Sequence, residues 1–478
     1  MAGLLDLDRS IAGPGYSRWL IPPAALAIHL SIGQVYAFSV FKRALQAHFG
    51  TSLTAIAWIF SIAIVMLGLS AAFLGTWVER SGPRKAMFTA ACCWGSGFVI
   101  GAVGIATRQL WLLYLGYGFI GGIGLGIGYI SPVSTLIKWF PDRPGLATGL
   151  AIMGFGGGAL IASPLSVKLM QAFDAPAANT TAAAAVTSGD AVMKTFLVLG
   201  ATYFTAMMFG AFNVRIPPGS SASFGSRGKA GAPYVPMRTG VTISAANAIR
   251  TPQFWMLWVV LFCNVTAGIG ILEQAAPMIQ DFFRHDNHGT ATSSVSAAVA
   301  GGFVGLLSMC NMAGRFVWSS TSDIVGRKRI YMLYLGLGMI LYALLATVGA
   351  SSTAVFAALA GIILTFYGGG FATVPAYLKD LFGTFQVGAI HGRLLTAWSA
   401  AGVAGPLIVN AIIESRGKPG ALTAEDYRPA LFVMVGVLGV GFVANLLVRS
   451  VDPRFHQATV PAEAPAPAAP MTFKKVAP

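Results

Sequence analysis

Long stretches of this chain carry almost no charge, and they recur at a spacing that leaves little choice of fold. Twelve such runs lie near residues 19–41, 53–78, 86–107, 110–137, 146–170, 192–214, 254–278, 298–320, 330–349, 354–378, 387–413 and 429–448. Each is about the roughly 20 residues that a helix needs to cross the hydrocarbon of a bilayer. A segment surrounded by lipid has to satisfy its backbone hydrogen bonds internally, which makes each run an α-helix. Only 10% of the 478 residues are charged, against about a quarter in soluble domains, so the outer surface is expected to face lipid. The expected fold is an all-α polytopic membrane protein, with twelve transmembrane helices in two pseudo-symmetric halves of six.

The 31 basic against 16 acidic residues give a net charge of +15. The basic residues stand singly or in threes between apolar runs, with no aromatic-studded basic groove, so nucleic acid is not the expected partner. With the N-terminus placed inside, 20 Lys and Arg fall on the cytosolic side and nine on the external side. That bias predicts both termini in the cytosol of a protein in the cytoplasmic (inner) membrane. The expected organisation is a cytosolic segment 1–18, a six-helix half 19–214, a basic cytosolic linker 215–250, a second half 251–448 and a disordered cytosolic tail 449–478. The linker, rich in Gly, Ser and Pro, can face anionic membrane lipid. Asp6 and Asp8 interrupt the N-terminus as a cleavable signal peptide. Cys92, Cys93, Cys263 and Cys310 lie within apolar runs without metal spacing, and no motif calls for a cofactor.

One turn is written twice. After the second run the chain reads from Glu79 and Arg80 through Ser81, Gly82 and Pro83 to Arg84 and Lys85; after the eighth it reads from Asp323 through Gly326 to Arg327, Lys328 and Arg329. An acidic residue ends a helix and a glycine turn with clustered basic residues starts the next, at the same rank in each half, which argues for duplication. Glu79 with Arg80, and Asp323 with Arg327, are candidate gating groups whose carboxylates pair with cations or meet a neighbouring helix end. The plainer alternative is a solvated cytosolic loop.

This paired turn resembles the signature of the major facilitator superfamily, although Glu79 stands where that family usually has Asp. More narrowly, the chain is similar to the oxalate/formate antiporter family, a relative of the monocarboxylate transporters, in residues 33–41, 311–315, 367–371 and 395–402. The resemblance implies alternating-access transport of a small organic anion by a protein that functions as a monomer.

Arg315 lies inside the eighth run. A guanidinium is costly in lipid, so it is expected to face the interior, where its fork suits a carboxylate. Snorkelling to the inner interface, or pairing with Asp323, is the alternative. The resemblance favours the ligand reading, since oxalate transporters bind a substrate carboxylate with an arginine at this position. They also carry a lysine where this sequence has Trp398. One cation neutralises a monoanion but not a dianion, which favours formate, lactate, pyruvate or a similar monocarboxylate over oxalate. Trp398 is then an apolar wall of the pocket or a packing residue.

Glu273 is the acidic residue deep in the seventh run. Protonated, it can carry H+ coupling; ionised, it can pair with Arg315; or it stands in water at the external mouth. Gln34 and Tyr36 offer polar groups from the first helix but are two residues apart and cannot face the same way. Tyr367 and Phe371, four apart, share a helix face and suit an aromatic side of a pocket, or ordinary packing. Gly118, Gly122, Gly124, Gly128, Gly154 and Gly156 to Gly158 lack the ending of a phosphate loop and read as close-approach positions. Three functions remain open: anion exchange, proton symport, and carboxylate sensing without flux. An enzyme is not expected, because the histidines are dispersed and only His285 and His288 lie close together.

Overall fold

The computed structural model describes residues 4–13, 15–140, 144–174, 188–217, 243–287, 290–383, 387–417 and 421–456. Among them are twelve helices long and apolar enough to cross a membrane. In the first half these are α1 (Arg18–Phe49), α2 (Leu53–Ser81), α3 (Pro83–Ala106), α4 (Leu110–Leu136), α5 (Pro144–Phe173) and α6 (Gly189–Asn213). In the second they are α7 (Pro252–Phe282), α8 (Ala297–Val325), α9 (Arg327–Ser351), α10 (Thr353–Phe382), α11 (Ala389–Arg416) and α12 (Ala424–Leu447). A short antiparallel hairpin, β1 (Arg284–Asn287) and β2 (Thr290–Ser293), interrupts the helical order after α7.

The two halves repeat each other's packing. In the first, α3 packs on α6, α2 on α4, and α1 on α5 and α6; in the second, α9 packs on α12, α8 on α10, and α7 on α11 and α12. The halves meet along two related seams, α2 against α11 and α5 against α8, with α1 and α7 meeting between them. Large apolar side chains such as Phe73, Trp111, Phe209 and Val440 are exposed around the outside, as a lipid-facing wall requires.

Helix ends follow local chemistry. At the face opposite the one that carries both ends of the described chain, Ser52, Ser188, Ser296 and Ser352 cap α2, α6, α8 and α10, each accepting a backbone N–H. Thr423 and Asp426 form a reciprocal capping box on α12. At the terminal face the duplicated turn is visible in the backbone: Gly82 has φ +83° and Gly326 φ +94°, a region that side-chain-bearing residues avoid. Each glycine closes one helix and opens the next.

Helix α1 is irregular where it crosses the middle of the molecule. Residues Gly33–Phe41 form nine residues of 3₁₀-helix between α-helical stretches, longer than the three or four residues usual for that geometry. This stretch packs against α5 of its own half and α7 and α8 of the other.

Candidate functional site

Arg315 sits ten residues before the end of α8, roughly 15 Å along the axis, and is fully buried. It has neither snorkelled to an interface nor paired with Asp323. Asn311, one turn earlier, accepts from Nε at 3.1 Å, and the carbonyl of Ile152 on α5 accepts from Nη1 at 3.2 Å. The guanidinium therefore reaches across one seam into the other half. Gly156 makes room for it, since a Cβ there would lie 2.8 Å from Nε. Nη2 makes no hydrogen bond of good geometry, although the Tyr36 and Tyr129 hydroxyls lie within reach of the guanidinium, and no carboxylate among the described residues forms an ion pair with this cation.

Aromatic rings close around it. The guanidinium carbon lies 5.3 Å from the ring centre of Phe371 and 5.8 Å from that of Phe155, a distance at which a cation is attracted to a ring face. Trp398 packs on Phe371 at 4.4 Å and on Phe155 and Tyr129 at 5.5 Å. Tyr36 packs edge-on against Phe155, and its hydroxyl meets that of Tyr367 at 2.6 Å, joining α1 to α10 across the halves. The electrostatic influence of Arg315 reaches the hydroxyls of Tyr36, Tyr129 and Tyr367. Trp398 Nε1 and Asn311 Nδ2 have no hydrogen-bond partner, and the Tyr129 hydroxyl has none beyond its approach to Arg315. A buried donor left unsatisfied costs about 1–3 kcal/mol.

Five of the six residues singled out for binding thus come together: Arg315, Tyr36, Tyr367, Phe371 and Trp398. Gln34 does not join them. Its Oε1 accepts from Tyr117 on α4 at 3.1 Å, inside the first half among Phe38, Trp94 and Phe98. Tyr129, Phe155 and the free amide of Asn311 belong to the cluster but were not singled out as site residues. Tyr129 and Phe155 lie in glycine-rich helices with apolar residues all round, where periodicity does not say which side faces the seam. The one available signal was for Asn311, a polar residue one turn from Arg315.

Glu273 neither pairs with Arg315 nor stands in water. It is buried on α7 with its Oε1 2.5 Å from the Nζ of Lys42 on α1, and both side chains are fully inaccessible. Asn410 on α11 holds the pair in place: its Oδ1 accepts from Lys42 at 3.0 Å, and its Nδ2 donates to Glu273 Oε2 at 3.1 Å. Gln274 Nε2 donates to the same Oδ1. Burying two ions costs several kcal/mol each and is sustainable only with such complete pairing. By sequence Lys42 reads as the first residue of a loop, because it follows the apolar run directly; the 3₁₀ stretch instead carries it into the protein.

Further links between the halves concentrate at the same end. Arg43 on α1 pairs with Asp281 on α7, which also receives Arg284 at 2.9 Å and the Tyr427 hydroxyl at 2.8 Å. Glu414 on α11 accepts from the backbone N–H and hydroxyl of Thr54 on α2, at 2.9 and 2.8 Å. At the terminal face, Asp323 pairs with Arg327, and Arg327 lies 3.5 Å from Asp380, all within the second half. Arg80 is exposed, and the side chain of Glu79 lies outside the described residues. There α2 approaches the start of α11, with Ala71 close to Gly392.

Comparison with known proteins accords with this architecture. The sequence matches the family model for the Major Facilitator Superfamily over residues 24–406, and again over 292–477. It is 25% identical over 439 residues to the oxalate:formate antiporter of Oxalobacter formigenes, covering 92% of each chain. It is 26% identical over 376 residues to the uncharacterized MFS-type transporter YhjX of Escherichia coli, covering 79% of this chain and 83% of that one. The apicoplast pyruvate carrier 1 of Toxoplasma gondii is 22% identical over 408 residues, covering 79% and 73%. Among solved structures, a bacterial homologue of the lysosomal transporter Spinster, inward-facing and occupied, superposes with a TM-score of 0.67 at 14% identity, covering 94% of this chain and all of that one. The outward-facing transporter FucP gives 0.58 at 13%, covering 91% of this chain and all of that one. These two likenesses speak for the fold alone. With a family match across most of its length and a twelve-helix fold repeated in two halves, the chain belongs to the Major Facilitator Superfamily of multi-pass membrane transporters.

Proposed function

We propose that this protein carries a small organic monocarboxylate, of the class of formate, lactate or pyruvate, across the cytoplasmic membrane by alternating access. The reading rests on one observation: a fully buried guanidinium at the seam between the halves, caged by aromatic rings, with no hydrogen bond of good geometry at Nη2. A carboxylate takes the open edge of Arg315, and the Tyr129 hydroxyl beside it, Trp398 Nε1 and the Asn311 amide supply further neutral donors. The rings enclose a short apolar body. Charge supports a monoanion, because at the interface between the halves Lys42 is neutralised by Glu273 while Arg315 has no carboxylate partner among the described residues. Two relatives are named for small carboxylates, one for the monoanion pyruvate and one for the dianion oxalate with the monoanion formate, and oxalate/formate antiport is the alternative.

The bias of Lys and Arg supports cytosolic termini, which makes the face of Arg43, Asp281, Thr54 and Glu414 external. Opening toward the outside then breaks those contacts, while opening inward separates α2 from the start of α11. In this reading the turns carrying Glu79, Arg80, Asp323 and Arg327 act as the inner gate. Glu273, buried in an ion pair that joins the halves, is the group assigned to H+ coupling.

Counterflow in liposomes preloaded with individual organic acids, with and without a pH gradient, tests the whole reading. Pyruvate flux is expected, with an affinity about 10- to 150-fold weaker in Arg315→Gln, the worth of one charge-assisted hydrogen bond. Unchanged flux in that variant removes Arg315 as the clamp; binding without any flux makes the protein a sensor. Glu273→Gln is expected to exchange anions but to lose acceleration by a pH gradient. A wild-type pH response in that variant removes Glu273 from coupling.

A further inference from the structure

In a 3₁₀-helix side chains three residues apart eclipse one another. Along Gly33–Phe41 and into the residue that follows, this sets Tyr36, Ser39 and Lys42 in one line. An α-helix would fan the same three out by about 60° per step. The line begins at the cage, where Tyr36 meets Tyr367, passes the Ser39 hydroxyl, which is buried without a hydrogen-bond partner, and ends at Lys42. What Lys42 holds there is a carboxylate, that of Glu273 at 2.5 Å. Asn410 turns its carbonyl to the cation and its amide to the anion, so the pocket around Lys42 is built to hold a carboxylate group beside an ammonium.

We propose that Lys42 is a second carboxylate-binding site of this transporter, occupied in the closed state by Glu273 as an internal stand-in for the substrate and joined to Arg315 by the row Tyr36, Ser39, Lys42. The proposal deepens the reading of Arg315 as the carboxylate clamp and rests on it. When one H+ taken up from the solution on the substrate's side adds to the Glu273 carboxylate, the Lys42 ammonium loses its counterion and a substrate carboxylate takes its place. One negative charge leaves the pair as another enters, and no bond between heavy atoms changes. Each monocarboxylate that enters by this route is accompanied by one proton.

The groups around the pair are fixed. Asn410 and Glu414 face it from α11, Gln274 and Asp281 from α7, Arg43 from α1 and Tyr427 from α12. Asp281 is already engaged by Arg43, Arg284 and Tyr427, and Glu414 by Thr54, so Glu273 is the carboxylate paired with Lys42.

Equilibrium binding of radiolabelled pyruvate to the purified full chain at neutral pH tests this. The wild type is expected to hold one anion per chain, and Glu273→Gln a second one, abolished when Lys42→Gln is added. Glu273→Gln combined with Arg315→Gln is expected to keep the Lys42-bound anion alone. A single anion in Glu273→Gln overturns the proposal and leaves the Arg315 reading intact. Conversely, an affinity left unchanged by Arg315→Gln overturns that reading, while the Lys42 arm is judged by its own variants. Should thermal melting show Glu273→Gln unfolded, acidification of the wild type takes its place: a second pyruvate gained in the wild type and absent in Lys42→Gln supports the proposal, and a gain in both, or in neither, overturns it.

Discussion

Arg315 was legible from sequence because a charge inside an apolar run has few affordable positions, and the structure gives it one of them. Trp398 shows the limit of the same reasoning. The substitution of an aromatic for a lysine was visible, but whether the ring walls a pocket or fills a helix contact depends on which face of α11 meets the seam. It lies on the seam, against Phe371 and Phe155. Restoring a cation there is therefore expected to alter charge matching: Trp398→Lys is predicted to shift the ratio of oxalate to pyruvate uptake upward by about tenfold, the equivalent of about 1.4 kcal/mol of differential binding. Competition uptake in liposomes checks this, and an unchanged ratio places Trp398 outside the recognition step. Lys42 escapes a sequence reading for a reason that hydropathy cannot repair. A lysine after an apolar run is ordinarily a loop residue, and only a partner 231 positions away, Glu273, makes its burial affordable.

At the scale of elements, the twelve runs and the duplicated turn were readable because bilayer thickness fixes length and glycine marks a positive φ. Gly326→Ala puts a Cβ where φ is +94° and ψ 142° and is expected to cost about 1–3 kcal/mol. The measurable result is a melting temperature a few degrees lower in detergent, with pyruvate counterflow retained. No drop would mean that the turn relaxes freely and that its repetition has no conformational basis. The 3₁₀ stretch of α1 was not readable. Its residues are as apolar as those of an α-helix, and the geometry is chosen by what packs around it, namely α5, α7 and α8.

For the molecule as a whole, the polar links between the halves are uneven. Thr54 with Glu414, Arg43 with Asp281 and Lys42 with Glu273 all lie toward one end, whereas Asp323, Arg327 and Asp380 at the other end stay within one half. If the first group must part in every cycle, Thr54→Cys combined with Glu414→Cys, joined by a short thiol cross-linker, is expected to abolish counterflow, with recovery when a cleavable linker is reduced. Full activity in the cross-linked state would show that this seam does not open. Sequence alone could not show the asymmetry, since it arises from pairs hundreds of residues apart.

The stretched segment of α1 carries a consequence for such a cycle. A 3₁₀-helix rises about 2.0 Å per residue and an α-helix 1.5 Å, so nine residues relaxing to α geometry shorten by about 4.5 Å. The same relaxation turns Lys42 about 120° away from Tyr36. Such a change of winding would draw the ammonium away from Glu273, to which it is paired here.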